Sequence, residues 1–396
     1  MKKTILFTID SLDCAGAEKS LVTLLSILDY EKYSVDLMLF AHGKLLEEFL
    51  PKEVNVLNPL RYTKFASLSL TNSFIQSIKQ NHFDLLFSRL KYSFSLRKKN
   101  YRNSQEANLF WKCASSVIES PPKKYDIAIS YSQGVPTFYV AEKVTAKRKF
   151  TWVNESLRLD EEEKSYQKKF YDKYNRIVAV SDSAKEVFIK TFPFYSNKIE
   201  VIYDIYDANF IIHMAEKEKG YNDNYDGIKI LTIGRFDTQK GYDITLKACK
   251  ELKDKGIKFK WYVLGKGPLK EEILQTIIEY KLSNHFILLG VKANPYPYIK
   301  NADIYVQTSR TEGFGLAIAE ARMLNVPVVT TRFDAVFNQM IDGKNGLVVD
   351  MNPEAVTKGI LKVIQDQQLK EDIIKYLQSE KKGNVEEIDR FYNLIG

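Results

Sequence analysis

Residues 309–320 read S-R-T-E-G-F-G-L-A-I-A-E, with two residues between them and the preceding strand-like run Ala302-Asp303-Ile304-Tyr305-Val306. Glu312 and Glu320 are separated by seven residues, with Gly313 and Gly315 between them, and Leu316 to Met323 is a run compatible with a helix. The pattern is strand, tight glycine turn, helix. Such a turn aims backbone N–H groups and the positive helix end at whatever lies above the strand's carboxyl edge, and a phosphate is the natural guest. A carboxylate repels a phosphate but accepts hydrogen bonds from the adjacent hydroxyls of a sugar. Two glutamates beside two glycines therefore suit a ligand that has both. The plainer alternative is a helix start whose acidic residues favour its dipole.

Outward from this stretch, the second half repeats one device. Ile228–Ile233 is followed by Gly234-Arg235-Phe236-Asp237 and Lys240-Gly241, and Phe259–Leu264 by Gly265-Lys266-Gly267-Pro268. Phe286–Leu289 ends at Gly290, and Pro327–Thr330 and Asn345–Val349 complete the set. Strands that end in glycine turns and feed helices form a parallel, doubly wound sheet. The first half has the same grammar. Lys3–Ile9, a loop containing Ala15-Gly16-Ala17-Glu18, a helix over Lys19–Leu28 and a strand over Tyr33–Phe40 make a βαβ unit. Tyr125–Tyr131, Phe150–Val153, Arg176–Ser181 and Lys198–Tyr203 are its later strands, with Asp182-Ser183 as a helix cap. Asp207 to Asp226 is polar and irregular and reads as the linker. At 396 residues the chain exceeds a comfortable single core. The expected organisation is an N-terminal Rossmann-like domain over 1–205 and a C-terminal one over 206–383.

The bulk numbers exclude several classes. A hydrophobic content of 45% and a charged content of 27% are globular values. No apolar run approaches the ~20 residues of a spanning helix. Asp10 and Asp13 cut the N-terminal apolar run too short for a signal, so it reads as a buried strand. Cys14, Cys113 and Cys249 are scattered without metal-ligand spacing, which points to a reducing cytoplasm and no zinc. The net charge of +8 is lopsided: residues 1–205 hold 31 Lys+Arg against 24 Asp+Glu, and residues 206–396 hold 27 against 26. Leu85 to Gln105 has six bases (Arg89, Lys91, Arg97, Lys98, Lys99, Arg102) and no acid, interleaved with Phe87, Tyr92, Phe94 and Tyr101. That mixture suits an anionic membrane or nucleic acid. The plainer reading is a solvated helical hairpin whose aromatics enter the core.

Arg235 and Lys240 lie just past one strand, and the Gly313–Gly315 turn just past another. Such loops line one crevice in a doubly wound sheet. A fixed-fork Arg, a Lys and exposed N–H groups make a diphosphate clamp. Glu320 is placed for a ribose and Glu312 for a second sugar, so the constellation implies a nucleotide sugar. No G-x-G-x-x-G follows the first strand of either half, which argues against a dinucleotide dehydrogenase. Asp-x-Asp, a metal-diphosphate device, is absent, and Arg and Lys supply the neutralising charge.

G-R-F-x₄-K-G, V-L-G-K-G-P-L, A-D-I-Y-V, E-G-F-G-L-x₃-E and N-G-L-V-V resemble family 4 of the retaining glycosyltransferases, of GT-B fold. A-G-A-E, V-A-V-S-D-S and V-I-Y-D-I-Y-D in the first half resemble it too. The resemblance is strong over 228–350 and weakens over 60–125. It implies two Rossmann-like domains facing across a cleft, with the last helix, residues 384–396, crossing back to the first. It implies that Arg235 and Lys240 bind the donor diphosphate and Glu320 the ribose. It also implies that Glu312 and the backbone of Gly313, Phe314, Gly315 and Leu316 face the transferred sugar. Gly16 and Gly265 complete the donor contacts. Many relatives carry a His where this chain has Asn154, which cannot take a proton and is left a hydrogen bond to the sugar. Asp204 replaces a usual Asn and reads as structural.

The expected activity is retaining transfer of a hexose from a nucleotide sugar, a UDP-sugar, to a glycan or lipid-linked acceptor in bacterial surface polysaccharide synthesis. No metal or other cofactor is expected. The expected location is the cytoplasm, with peripheral contact at an anionic inner membrane face. An epimerase-like enzyme or a non-catalytic partner on the same fold is the alternative. Nucleic acid is set aside for want of any nucleic-acid motif.

Overall fold

The computed structural model describes residues 2–13, 16–97, 101–154 and 159–396. Cys14, Ala15, Lys98 and Lys99, which figure in the readings above, lie outside the described residues. Contacts sort the chain into two units. One holds the residues up to Asp13, Ala17–Tyr203 and Glu387–Gly396; the other holds Gly16 with Asp204–Glu386.

The first unit's strands are β1 (Lys3–Ile9), β2 (Tyr33–Leu39), β3 (Val54–Val56), β4 (Tyr125–Ser130), β5 (Ala146–Val153), β6 (Arg176–Ala179) and β7 (Ile199–Val201). Among the described residues they form one seven-stranded sheet in the order β3-β2-β1-β4-β5-β6-β7. Every pairing is parallel. Parallel strands covered on both faces need unbroken apolar runs, and Ile5, Leu6 and Phe7 are each fully buried. The chain order reverses direction between β1 and β4, so their carboxyl ends open the crevice where such sheets bind ligands.

The C-terminal helix, Glu387–Ile395, is built into this first unit. Phe391 stacks on Phe7 and meets Trp152, each at 6.1 Å between ring centroids. Tyr392 stacks on Tyr33 at 5.9 Å, and its hydroxyl accepts from the Asp29 N–H at 2.9 Å. Arg148 donates to the Leu394 and Gly396 carbonyls at 2.7 and 3.1 Å, a cation satisfying the orphan acceptors of a helix end. The helix thus returns some 360 residues of chain to the sheet where it began.

The second unit's strands are β8 (Ile228–Ile233), β9 (Phe259–Leu264), β10 (Phe286–Gly290), β11 (Ile304–Gln307), β12 (Val328–Thr331) and β13 (Leu347–Val349). Among the described residues they form a six-stranded sheet, β10-β9-β8-β11-β12-β13, again parallel throughout. Its switch point lies between β8 and β11. The loops after those two strands carry Arg235 with Lys240 and the 309–320 stretch respectively.

Two local expectations fail. The stretch read as an irregular linker contains a helix, Ala208–Glu216. Asp207 caps it by accepting from the N–H groups of Asn209 and Phe210, and Ile211, Met214 and Ala215 are buried. The charged flanks hid this short apolar face. The cap after β6 is Ser181, which accepts from Ala184 N–H, rather than Asp182-Ser183. A serine earlier satisfies the same orphan donor.

Candidate active site

The turn after β8 and the turn after β9 are locked together. The N–H of Gly234 donates to Leu264 O at 3.0 Å, and the N–H of Phe236 donates to Lys266 O at 2.9 Å. A Cβ on Gly265 would lie 2.0 Å from Gly234 O, so only glycine permits this approach. Asp237 then caps a short helical turn, Thr238–Lys240, accepting from the Lys240 N–H at 3.2 Å. The same carboxylate accepts from Arg235 Nε at 2.6 Å, so one aspartate holds the Arg235 side chain and the backbone of Lys240.

The loop after β8 is also fastened to the loop after β11. Thr308 Oγ1 donates to Lys240 O at 2.9 Å. Arg310 donates to Thr238 O at 2.9 Å and to Asp243 at 2.8 Å. That guanidinium holds the Asp243 carboxyl below its ordinary value. Gly241 sits in the left-handed region, φ +65°, where a Cβ would be 2.2 Å from Thr308 O.

At the meeting point lies Glu312. Its Oε1 accepts from Lys240 Nζ at 2.5 Å, from Gln307 Nε2 at 2.6 Å and from Ser309 Oγ at 2.6 Å. The Lys240 and Glu312 side chains are 23% and 12% exposed, enough burial to strengthen the attraction and enough opening for a ligand. Arg235 is more open, at 48%. Gly315, at φ +88°, turns the chain into the helix Leu316–Met323. Gln339 Nε2 donates to Phe314 O at 2.5 Å and to Gly315 O at 3.1 Å, which fixes the turn. Arg322 and Asn345 in turn hold Gln339. Phe314 is buried and its ring lies 5.9 Å from that of Tyr206. Leu316 is buried, and so is Glu320, 2% exposed, with the Tyr296 hydroxyl 3.3 Å from its Oε1.

Of the residues singled out from the sequence, Arg235, Lys240, Gly265, Glu312–Leu316 and Glu320 all belong to the second unit. Asn154 belongs to the first unit, whereas Gly16 groups with the second. Gly16 opens the Gly16–Ser26 helix after β1, and Asn154 follows β5. Asn154 Nδ2 donates to Tyr131 O at 2.8 Å, and its Oδ1 is buried with no partner among the described residues. Asp237, Gln307, Ser309 and Gln339 were not singled out. Asp237 had a signal, an Asp three residues before a Lys-Gly break; the other three reach the site only through the fold. Among the described residues no cluster of His, Cys, Asp and Glu has the makings of a metal site.

Residues 214–380 match the model of the family described as glycosyl transferases group 1, a match that lies within the second unit. Over the whole length the chain is similar in fold to Alr3699/HepE of Anabaena, solved with UDP and glucose. The TM-score is 0.68, with 18% identity, covering 99% of this chain and 98% of that one. That likeness is one of fold, the two-unit GT-B architecture. Among sequence relatives, N-acetylgalactosamine-N,N'-diacetylbacillosaminyl-diphospho-undecaprenol 4-alpha-N-acetylgalactosaminyltransferase of Campylobacter jejuni is 28% identical over 202 residues. The match covers 50% of this chain and 53% of that protein. Capsular polysaccharide biosynthesis glycosyltransferase CapM of Staphylococcus aureus is 27% identical over 208 residues, 50% of this chain and 54% of its own. The chain thus spans about half the length of the curated relatives it matches.

Proposed function

We propose that this chain is a retaining hexosyltransferase of family 4 that moves a sugar from a UDP-sugar to a glycan or lipid-linked acceptor in bacterial surface polysaccharide synthesis. The observation that carries the reading is the junction of Lys240 Nζ and Glu312 Oε1, 2.5 Å apart, on loops from the adjacent strands β8 and β11. A cation for phosphate and a carboxylate for sugar hydroxyls stand side by side where a doubly wound sheet binds ligands. The family match over the second unit and the UDP-bound structure of similar fold support the same donor class.

In this reading Lys240 and Arg235 offset the charge that builds on the diphosphate as the glycosidic bond breaks, without a metal or other cofactor. The acceptor hydroxyl attacks from the leaving-group face, and the departing β-phosphate oxygen takes its proton. The protein contributes charge stabilisation and positioning. Asn154 is assigned a hydrogen bond to the sugar in place of a proton-transfer role. The chain works in the cytoplasm at the inner face of a membrane. A hydrolysis screen of the purified protein across nucleotide sugars tests the donor: release of UDP from one UDP-sugar is expected. Equal inertness toward every UDP-sugar, with turnover of a different nucleotide's sugar, would replace that donor.

Glu320 is assigned to the ribose, a contact made alike in ground and transition states. Glu320→Ala is expected to weaken UDP binding about tenfold while leaving turnover at saturating donor within about threefold. Calorimetry with UDP reads the first quantity, and wild-type affinity in the variant would remove the ribose assignment.

A further inference from the structure

The helix Leu70–Gln80 is inside out. A surface helix ordinarily buries its apolar stripe and shows its polar face to water. Here Ser73 and Ser77 are fully buried, while Phe74, Ile75 and Ile78 are 56%, 44% and 59% exposed. The inward polar face is sealed: Arg89 of the next helix, Phe83–Leu96, donates to Ser73 Oγ and, at 2.6 Å, to Leu68 O. Turning the helix over would bury Phe74, Ile75 and Ile78 and strand Arg89, so the outward apolar face is held in place by a specific polar contact.

The helix Phe83–Leu96 shows the same habit. Leu85 and Ser88 are buried, and Phe83, Phe87, Leu90 and Phe94 are exposed, up to 71% at Phe87. Spacings of four, three and four put those four side chains on one stripe. Two of the four aromatics in the basic stretch, Phe87 and Phe94, therefore do not enter the core as a solvated hairpin would require. Phe110 instead receives Tyr92, edge to face at 5.5 Å.

The surroundings are basic. Residues 61–97 hold six Lys and Arg against one acid, Asp84. Arg61, Lys64, Lys79, Lys91 and Arg97 are exposed. We propose that these two helices are a bilayer-docking face, lying in the plane of an anionic membrane with their phenylalanines in the headgroup–acyl boundary and their cations among lipid phosphates. Their 11 and 14 residues are too short to span, so the face lies on the membrane and does not cross it. The charge selects the occupant. A second copy meeting this face about a twofold axis would oppose the same cations to each other, whereas an anionic lipid surface complements them.

Vesicle sedimentation of the full chain tests this without reference to transfer, so it stands or falls apart from the proposed reaction. Wild type is expected to pellet with vesicles containing phosphatidylglycerol, far less with pure phosphatidylcholine, and progressively less as salt rises. Phe74→Ser, Phe87→Ser and Phe94→Ser combined should lower the partition at least tenfold. Lys79→Ser, Lys91→Ser and Arg97→Ser combined should erase the preference for anionic vesicles. All six positions are exposed, and an unchanged melting temperature shows that each variant is folded. Wild type that stays in the supernatant, or a phenylalanine variant that pellets as wild type does, overturns the proposal. Wild type that is dimeric in solution and becomes monomeric on loss of the phenylalanines assigns the face to a second copy instead.

Discussion

Lys240→Ala is expected to lower transfer by about 10³, and Arg235→Ala by about 10², each in a folded protein. Removing one preorganised group aimed at developing charge costs about 3–4 kcal/mol, which is two to three decades in rate. The two variants differ for a structural reason. Lys240 is the less exposed cation, so its charge is less screened, and it is paired with Glu312 at 2.5 Å. Its loss removes a positive charge and also leaves the Glu312 carboxylate uncompensated beside the incoming diphosphate. Arg235 is half exposed, and its loss leaves Asp237 still capping the Lys240 turn. Because Lys240 and Glu312 share one ion pair, the double variant Lys240→Ala/Glu312→Ala should lose less than the two single losses combined. Steady-state transfer kinetics with matched melting curves check all of this. Turnover near wild type in either folded single variant would remove the diphosphate assignment.

The second unit was the more legible half, and the reason lies in its strands. A parallel strand covered on both faces must be a continuous apolar run, so β8 at Ile228–Ile233 and β9 at Phe259–Leu264 fall where the sequence places them. The helix Leu316–Met323 also falls as read, because Gly315 at φ +88° leaves little choice of where it starts. Glycine at 265 is equally diagnostic, since a side chain would collide with Gly234 O. In the basic stretch the helix Phe83–Leu96 was legible as one arm of a helical hairpin but not in orientation. Periodicity shows that a face is apolar; it does not show which way the face points when the buried side is made of serines. The Ala208–Glu216 helix was lost to its charged neighbours. Around Glu312 the cations were readable by their position after a strand. Gln307 and Ser309 gave no sign, because hydrogen bonds to a carboxylate depend on how a loop folds back. Gln339 is the extreme case: it grips the Phe314 carbonyl from 25 residues further along, through a turn after β12.

Glu312→Ala is expected to lower turnover at saturating donor by about 10² or more, with UDP affinity within about threefold of wild type. The carboxylate faces the transferred sugar in the proposed reaction, and contacts to a reacting group change between ground and transition states whereas contacts to the nucleotide do not. A rival role is purely local: Oε1 gathers Lys240, Gln307 and Ser309, so Glu312 could serve only to hold Lys240 in place. The two roles separate on Glu312→Gln. The amide keeps an oxygen to accept from sugar hydroxyls but gives up the charge that attracts the ammonium. If the sugar contact matters, Glu312→Gln should recover at least tenfold of the turnover lost in Glu312→Ala. If Glu312 only positions Lys240, the glutamine variant has no advantage, and both should bind UDP poorly because the diphosphate cation has lost its anchor. Calorimetry with UDP and saturating-donor kinetics on the two variants decide between them. Weak UDP binding in both, with no recovery in the glutamine variant, would transfer the role of Glu312 from the sugar to the lysine.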